Sequence, residues 1–167
     1  MREALVGIAV AICLTAGPAA AQQSSGDVHA DYMHGTTSKA NSWGAGALYQ
    51  LTFGGKQAPL QLNTSLGADW TKQENSGPSQ TSLSYDATVQ PGGSGSFVPY
   101  AGGSVSANWS GGSNKMWDGA KLGLETLAGF QVKLGLNGVA WKAEERFGYV
   151  REQEHTLTTR VGIAVTF

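Results

Sequence analysis

Along this chain apolar and polar residues change places at nearly every step. From Asn41, Trp43, Ala45, Ala47, Tyr49, Leu51 and Phe53 share one face, and Gly44, Gly46, Gln50 and Thr52 share the other. From Ala58 the apolar side holds Leu60, Leu62, Leu66, Ala68 and Trp70, and the opposite side Gln61, Asn63, Ser65, Gly67 and Asp69. A period of two is the mark of a half-buried β-strand. The same alternation returns over Leu83–Gln90, Ser104–Trp109, Ala120–Glu125, Phe130–Ala140 and His155–Phe167, and more weakly over Asp27–His34. Eight strands follow. Between them lie turn-rich pieces such as "TTSKA", "PGGSGS" and "SGGSNK", together with "LAG" and the charged stretch "AEERFGYVREQE". Sequential strands with short connections predict an antiparallel up-and-down meander, all-β, without an internal domain boundary.

Composition agrees with this reading. Among 167 residues there are 24 glycines, 41% are hydrophobic and 14% charged, too apolar for a disordered chain. The formal net charge of -1 gives no basic footprint for nucleic acid. The first stretch stands apart. "MREALVGIAVAICLTAGPAAAQQ" has Arg2, an apolar run from Ala4 to Ala16, a break at Gly17-Pro18 and small residues up to Ala21. That layout predicts a secretory signal peptide over residues 1–21 and a mature domain over 22–167. The lone cysteine, Cys13, falls in the leader, so neither a disulfide framework nor a thiolate metal site is expected in the mature domain.

Such alternation serves a soluble barrel, with the apolar face inside, or a membrane barrel, with that face toward lipid. The polar faces carry Asp31, Asp69, Asp86, Lys121, Glu125, Lys133 and Arg160 at mid-strand positions, with both signs present. In a membrane barrel these seven would form an ion network inside a narrow lumen. The aromatics favour that arrangement. With the first strand running outward, Phe53, Phe97, Phe130 and Phe167 fall at periplasmic strand ends. Trp43, Trp70, Trp109, Trp117 and Trp141 fall at outer ends. Two aromatic girdles belong to a membrane-spanning barrel. Strand parity turns Trp117 and Trp141 inward, as caps on the lumen. The mature length allows roughly 18 residues per strand and connection, which suits eight spanning strands of ~9–11 residues. The expected architecture is a closed antiparallel eight-stranded up-and-down transmembrane β-barrel.

The stretch "FVPYAGGSVSANW" resembles the PY-x-G-x-G strand of small outer-membrane β-barrel proteins of the OmpA/OmpX-like class, a porin-like outer-membrane β-barrel domain. It departs from that pattern where Gly102 and Gly103 stand adjacent. The closing "RVGIAVTF" resembles the C-terminal strand signal read by the bacterial barrel-assembly machinery. The resemblance implies Sec-type export and residence in a Gram-negative outer membrane. The implied partners are membrane lipid, lipopolysaccharide and the assembly machinery.

The chemistry expected is sparse. An eight-stranded lumen is filled by side chains, so no open pore is expected. Lipid A modification, one enzymatic alternative, needs a nucleophile beside a histidine base. His34 and His155 lie near outer strand ends with Ser38, Ser42 and Glu154 in the vicinity, but no His-x-Ser pair lies on a strand. Asp27, His29 and Asp31 share one strand face at a spacing that suits either a metal or hydrogen bonding within a lumen. Phe147 and Tyr149, amid charge in the predicted outer loop, are the candidate contacts for an external ligand. No catalytic residue, metal site or cofactor is assigned. The leading expectation is a non-enzymatic surface barrel with an envelope or adhesion-like role. The alternatives are a lipid-A-modifying enzyme and a soluble periplasmic lipocalin-like carrier.

Overall fold

A computed structural model describes residues 23–36, 38–55, 57–74, 77–93, 95–110, 119–150 and 155–167. The predicted leader and Trp117 lie outside the described residues. Eight strands follow in order: β1 (Gln23–Gly35), β2 (Asn41–Phe53), β3 (Leu60–Gln73), β4 (Ser79–Pro91), β5 (Phe97–Ser110), β6 (Lys121–Lys133), β7 (Val139–Val150) and β8 (His155–Thr166). Each pairs antiparallel with the next, and β8 pairs with β1, so the sheet is a closed barrel. Closure leaves no strand edge with unpaired backbone groups, which is the condition for a sheet to sit in hydrocarbon.

The two faces are sorted as a membrane barrel requires. Val28, Leu62, Leu66, Val105, Leu122, Leu124, Val161, Ile163 and Val165 are exposed on the outer surface, Val28 and Leu124 to 64% each. Inside, the buried residues are mostly polar, among them Asn63 at 2%, with Ser84, Asp86, Ser104, Arg146 and Arg160. A soluble carrier would show the reverse, an apolar interior under a polar surface. The lipocalin-like alternative therefore falls. All eight strands are 12 to 14 residues long, more than enough to cross hydrocarbon.

Aromatic rings gather near the strand ends. At the end of the barrel holding Gln23 and Phe167, which we call the terminal end, Phe97 packs on Phe130 at 5.2 Å, and Phe130 on Trp141 at 5.6 Å. At the far end Trp43 and Trp70 meet edge to face at 5.8 Å. Trp141 thus belongs to the terminal-end girdle and faces outward beside Phe130. This corrects its expected place at an outer end as an inward cap.

The correction arises from a shift of two elements. The "LAG" piece is not a turn. Leu127 points inward and is buried, and β6 runs through it without interruption. Gly129 is a glycine because Tyr100 of β5 lies across it. A Cβ there would stand 2.8 Å from the Tyr100 ring and 2.5 Å from the Ala143 carbonyl oxygen. The turn comes later. Leu134 N donates to Val139 O at 3.1 Å, and Gly135 and Gly138 supply the positive φ angles of 75° and 78°. Leu134 and Leu136, expected on a strand, lie in this turn. The stretch "AEERFGYV" is not a loop but the body of β7.

Candidate functional site

The lumen holds the one concentrated set of chemistry-bearing side chains among the described residues. Inward positions of neighbouring strands alternate between large charged groups and glycine, and the glycines make the room. His29 on β1 stands opposite Gly46 of β2 and Gly162 of β8. A Cβ on Gly46 would run into the Asp69 carboxylate and the His29 ring; one on Gly162 would stand 2.8 Å from His29 Cβ.

Two clusters fill this space. In the first, His29 Nδ1 lies 2.7 Å from Asp27 Oδ1 and His29 Nε2 lies 2.6 Å from Asp69 Oδ1. Carboxylates only accept, so with both acids ionised the two bonds require a proton on each ring nitrogen. Arg160 Nε donates to Asp31 at 2.8 Å and Arg160 Nη2 to Asp69 at 2.8 Å. Lys142 Nζ stands 3.2 Å from the second oxygen of Asp27 and 5.5 Å from the Tyr100 ring centre. In the second cluster one guanidinium serves three acids. Arg146 Nη2 donates to Asp86, Nη1 to Glu125 at 3.0 Å and Nε to Glu144 at 2.7 Å. An isolated ion here would cost several kcal/mol, and mutual pairing offsets much of that.

Toward the terminal end the charges give way to an uncharged chain. Thr52 Oγ1 donates to Asn63 at 2.8 Å, Asn63 Nδ2 to Gln90 at 3.0 Å, and Gln90 Nε2 to Gln61 at 2.9 Å. Each mouth of the barrel opens on a vestibule. The far one measures about 470 Å³ and is lined by Met33, Ser42, Thr71, Gln80 and Asn108. The terminal one measures about 510 Å³ and is lined by Gln61, Gln90 and Gln131. Between them the free space around Arg146 and Arg160 shrinks to about 30 Å³, the room of a water or two.

Of the seven residues expected in the lumen network, Asp31, Asp69, Asp86, Glu125 and Arg160 meet in these clusters. Lys121 and Lys133 instead occupy the two ends of β6, half-buried and exposed respectively. The sequence reading missed Lys142, Glu144 and Arg146, because it placed the turn eight residues too early and took their strand for a loop. The signal was present: Lys142, Glu144, Arg146 and Gly148 alternate with Trp141, Ala143, Phe147 and Tyr149. Only Glu145 breaks that pattern.

His29, Asp31 and Asp69 bring donor atoms within 4.8 Å of one another, a spacing that would suit a metal ion. Arg160 already occupies both carboxylates, and Asp27 holds the other side of the imidazole. The protein's own cations fill this site, and the set does not fit a resident metal.

The girdle residues face outward. Trp43, Trp70 and Trp109 lie toward the far end, and Phe53, Phe97, Phe130 and Phe167 at the terminal end. Phe147 and Tyr149 are not loop contacts. They lie on the outward face of β7, 51% and 45% exposed, where His155 packs against them at 5.6 and 5.2 Å. His34 bonds the Asn41 side chain at 2.8 Å. The three histidines thus meet carboxylates, an amide and two aromatic rings.

These features define a class: a closed eight-stranded barrel with a polar plug inside and an apolar, aromatic-banded exterior. Solved structures of that class match most of the chain at low identity. The N-terminal β-barrel domain of Pseudomonas aeruginosa OprF superposes with a TM-score of 0.54 at 17% identity, covering 86% of this chain and 97% of that one. Ail, the attachment invasion locus protein of Yersinia pestis, gives 0.53 at 17%, covering 87% and 97%. The outer membrane enzyme PagL gives 0.52 at 14%, covering 83% and 98%. At these identities the likeness is one of fold, and the fold is that of the small outer-membrane β-barrels. No protein-family model matches the sequence, and no curated protein matches it.

Proposed function

We propose that this chain is a non-enzymatic barrel of a Gram-negative outer membrane, with an envelope-structural or adhesion-like role and no conducting pore. It reaches the membrane by Sec-type export, and β8 with Phe167 beside it presents the strand read by the assembly machinery. Outer-membrane lipid and lipopolysaccharide surround it. One observation carries the reading: paired ions fill the lumen between two vestibules, leaving about 30 Å³ free around Arg146 and Arg160. A channel needs a continuous aqueous path, and here the middle is closed by groups that are costly to unpair. The histidine partners support the absence of lipid A chemistry, because a base for a hydroxyl nucleophile must reach that hydroxyl.

The experiment has two readouts on the same protein. In planar bilayers the purified barrel should give no discrete conductance steps, and lipid A mass spectra of cells with and without the gene should coincide. Regular steps would contradict the closed lumen. A gene-dependent acyl change in lipid A would make the enzymatic alternative the correct one.

A further inference from the structure

One outward glycine has no packing reason within the barrel. Gly46, Gly129 and Gly162 face neighbours that a Cβ would strike, and a Cβ on Gly102 would overlap the Ala87 carbonyl oxygen. Gly103 faces outward, between the exposed Ala101 and Val105. A Cβ there would meet the Glu125 carbonyl oxygen at 3.4 Å and nothing else within 4 Å. Glycine weakens a strand interior, and one that its own neighbours do not require marks a place where something else comes close.

Gly103 floors a groove of about 680 Å³ in the outer wall, with Ala87 and Thr126 beside it and the rings of Tyr85, Phe147 and Tyr149 around it. The groove has a direction. Register links Tyr85, Val105, Leu124, Tyr149 and His155 in one outward row across β4, β5, β6, β7 and β8. His155 opens β8 at the far rim; Tyr149 lies one residue from the far end of β7, Leu124 three from that of β6, Val105 five from that of β5 and Tyr85 six from that of β4. The row thus descends from the rim into the wall. Four strand spacings of ~4.8 Å, on strands tilted by ~35–45°, give a drop of about 11–14 Å. The hydrocarbon of one leaflet is about 15 Å deep.

The lining selects the occupant. The hydroxyl on the floor, Thr126 Oγ1, already donates to the Phe147 carbonyl oxygen at 3.3 Å. A peptide laid here would bring backbone groups that find no partner in hydrocarbon, whereas a methylene chain brings none. The groove is continuous with the lipid-facing belt. It opens at the far rim, where His155 stacks on Phe147 and places an imidazole at headgroup depth.

We infer that this groove seats one acyl chain of lipid A, with His155 beside the headgroup. With β1 running outward the far rim faces the exterior, and lipopolysaccharide fills that leaflet. This inference rests on the membrane-embedded reading, and the test separates the two. The parent would be compared with Gly103→Phe, which fills the groove, with Phe147→Ala, which removes a wall, and with Ala47→Phe on β2, across the barrel. Unboiled and boiled gels confirm that each has closed. Flotation with phosphatidylethanolamine–phosphatidylglycerol vesicles tests the membrane reading alone. Native mass spectrometry from detergent micelles doped with lipid A, or with phosphatidylethanolamine, then counts the lipids each barrel retains. The parent and Ala47→Phe should keep one lipid A. Gly103→Phe and Phe147→Ala should keep it about tenfold less, because many small carbon–carbon contacts are lost together. A barrel that does not float would overturn the membrane reading itself. A floating parent that retains no lipid A, or retention that both groove variants leave unchanged, would overturn the groove. Equal retention of phosphatidylethanolamine would overturn lipid A as its occupant.

Discussion

Arg146 ties together three strands of the plug, since its three donor nitrogens reach Asp86 on β4, Glu125 on β6 and Glu144 on β7. Removing it strands three acids in a space that admits little water. Arg146→Met should therefore destabilise the refolded barrel by about 3–5 kcal/mol, the usual cost of breaking a buried ionic cluster from one side. Denaturant titration in lipid vesicles measures this directly. Adding Asp86→Asn and Glu144→Gln should recover part of the loss, because fewer negative charges are left unpaired. A single variant as stable as the parent would mean that the lumen is wet enough to solvate these acids. Such residues are only half legible in a sequence. Asp31, Asp69 and Arg160 announce themselves as charges inside clean alternation, but no local pattern says that Arg160 on the last strand meets Asp31 on the first. That contact exists only because β8 closes on β1.

At the scale of strands, β2, β3, β4 and β8 were legible because apolar residues hold most of their outward positions, while β1 and β5 were legible over Asp27–His34 and Ser104–Trp109. The failure at β6 and β7 has two physical sources. Gly129 reads as a turn glycine, yet it is there to make room for Tyr100 across the strand pair. Glu145 reads as a loop charge, yet it lies on a lipid-facing strand for a reason the period of two does not encode. Local sequence shows neither, because both depend on a neighbour brought up by the sheet. Glycine also governs the seam. Gly162 on β8 faces His29, and a Cβ there would stand 2.6 Å from the Val28 carbonyl oxygen. Gly162→Val should hold the two edge strands apart and reduce the fraction that closes. A gel run with unboiled and boiled samples shows this as loss of the heat-shifted band. An unchanged band would mean that the seam tolerates a branched side chain.

The whole molecule is organised by one sorting of residues: polar groups inside a closed barrel, apolar groups against lipid. Alternation alone serves either direction; the aromatic residues at the strand ends already favoured lipid outside, and the closed sheet with its ion-filled interior bears that out. The strand to test is β7, where sequence and structure part most clearly. Single spin labels placed in turn from Trp141 to Tyr149, in lipid vesicles, would report oxygen accessibility residue by residue. A period of two is expected, with high values at Trp141, Ala143, Glu145, Phe147 and Tyr149 and low values at Lys142, Glu144, Arg146 and Gly148. A profile of opposite phase, or one uniformly open to water from Ala143 onward, would contradict it.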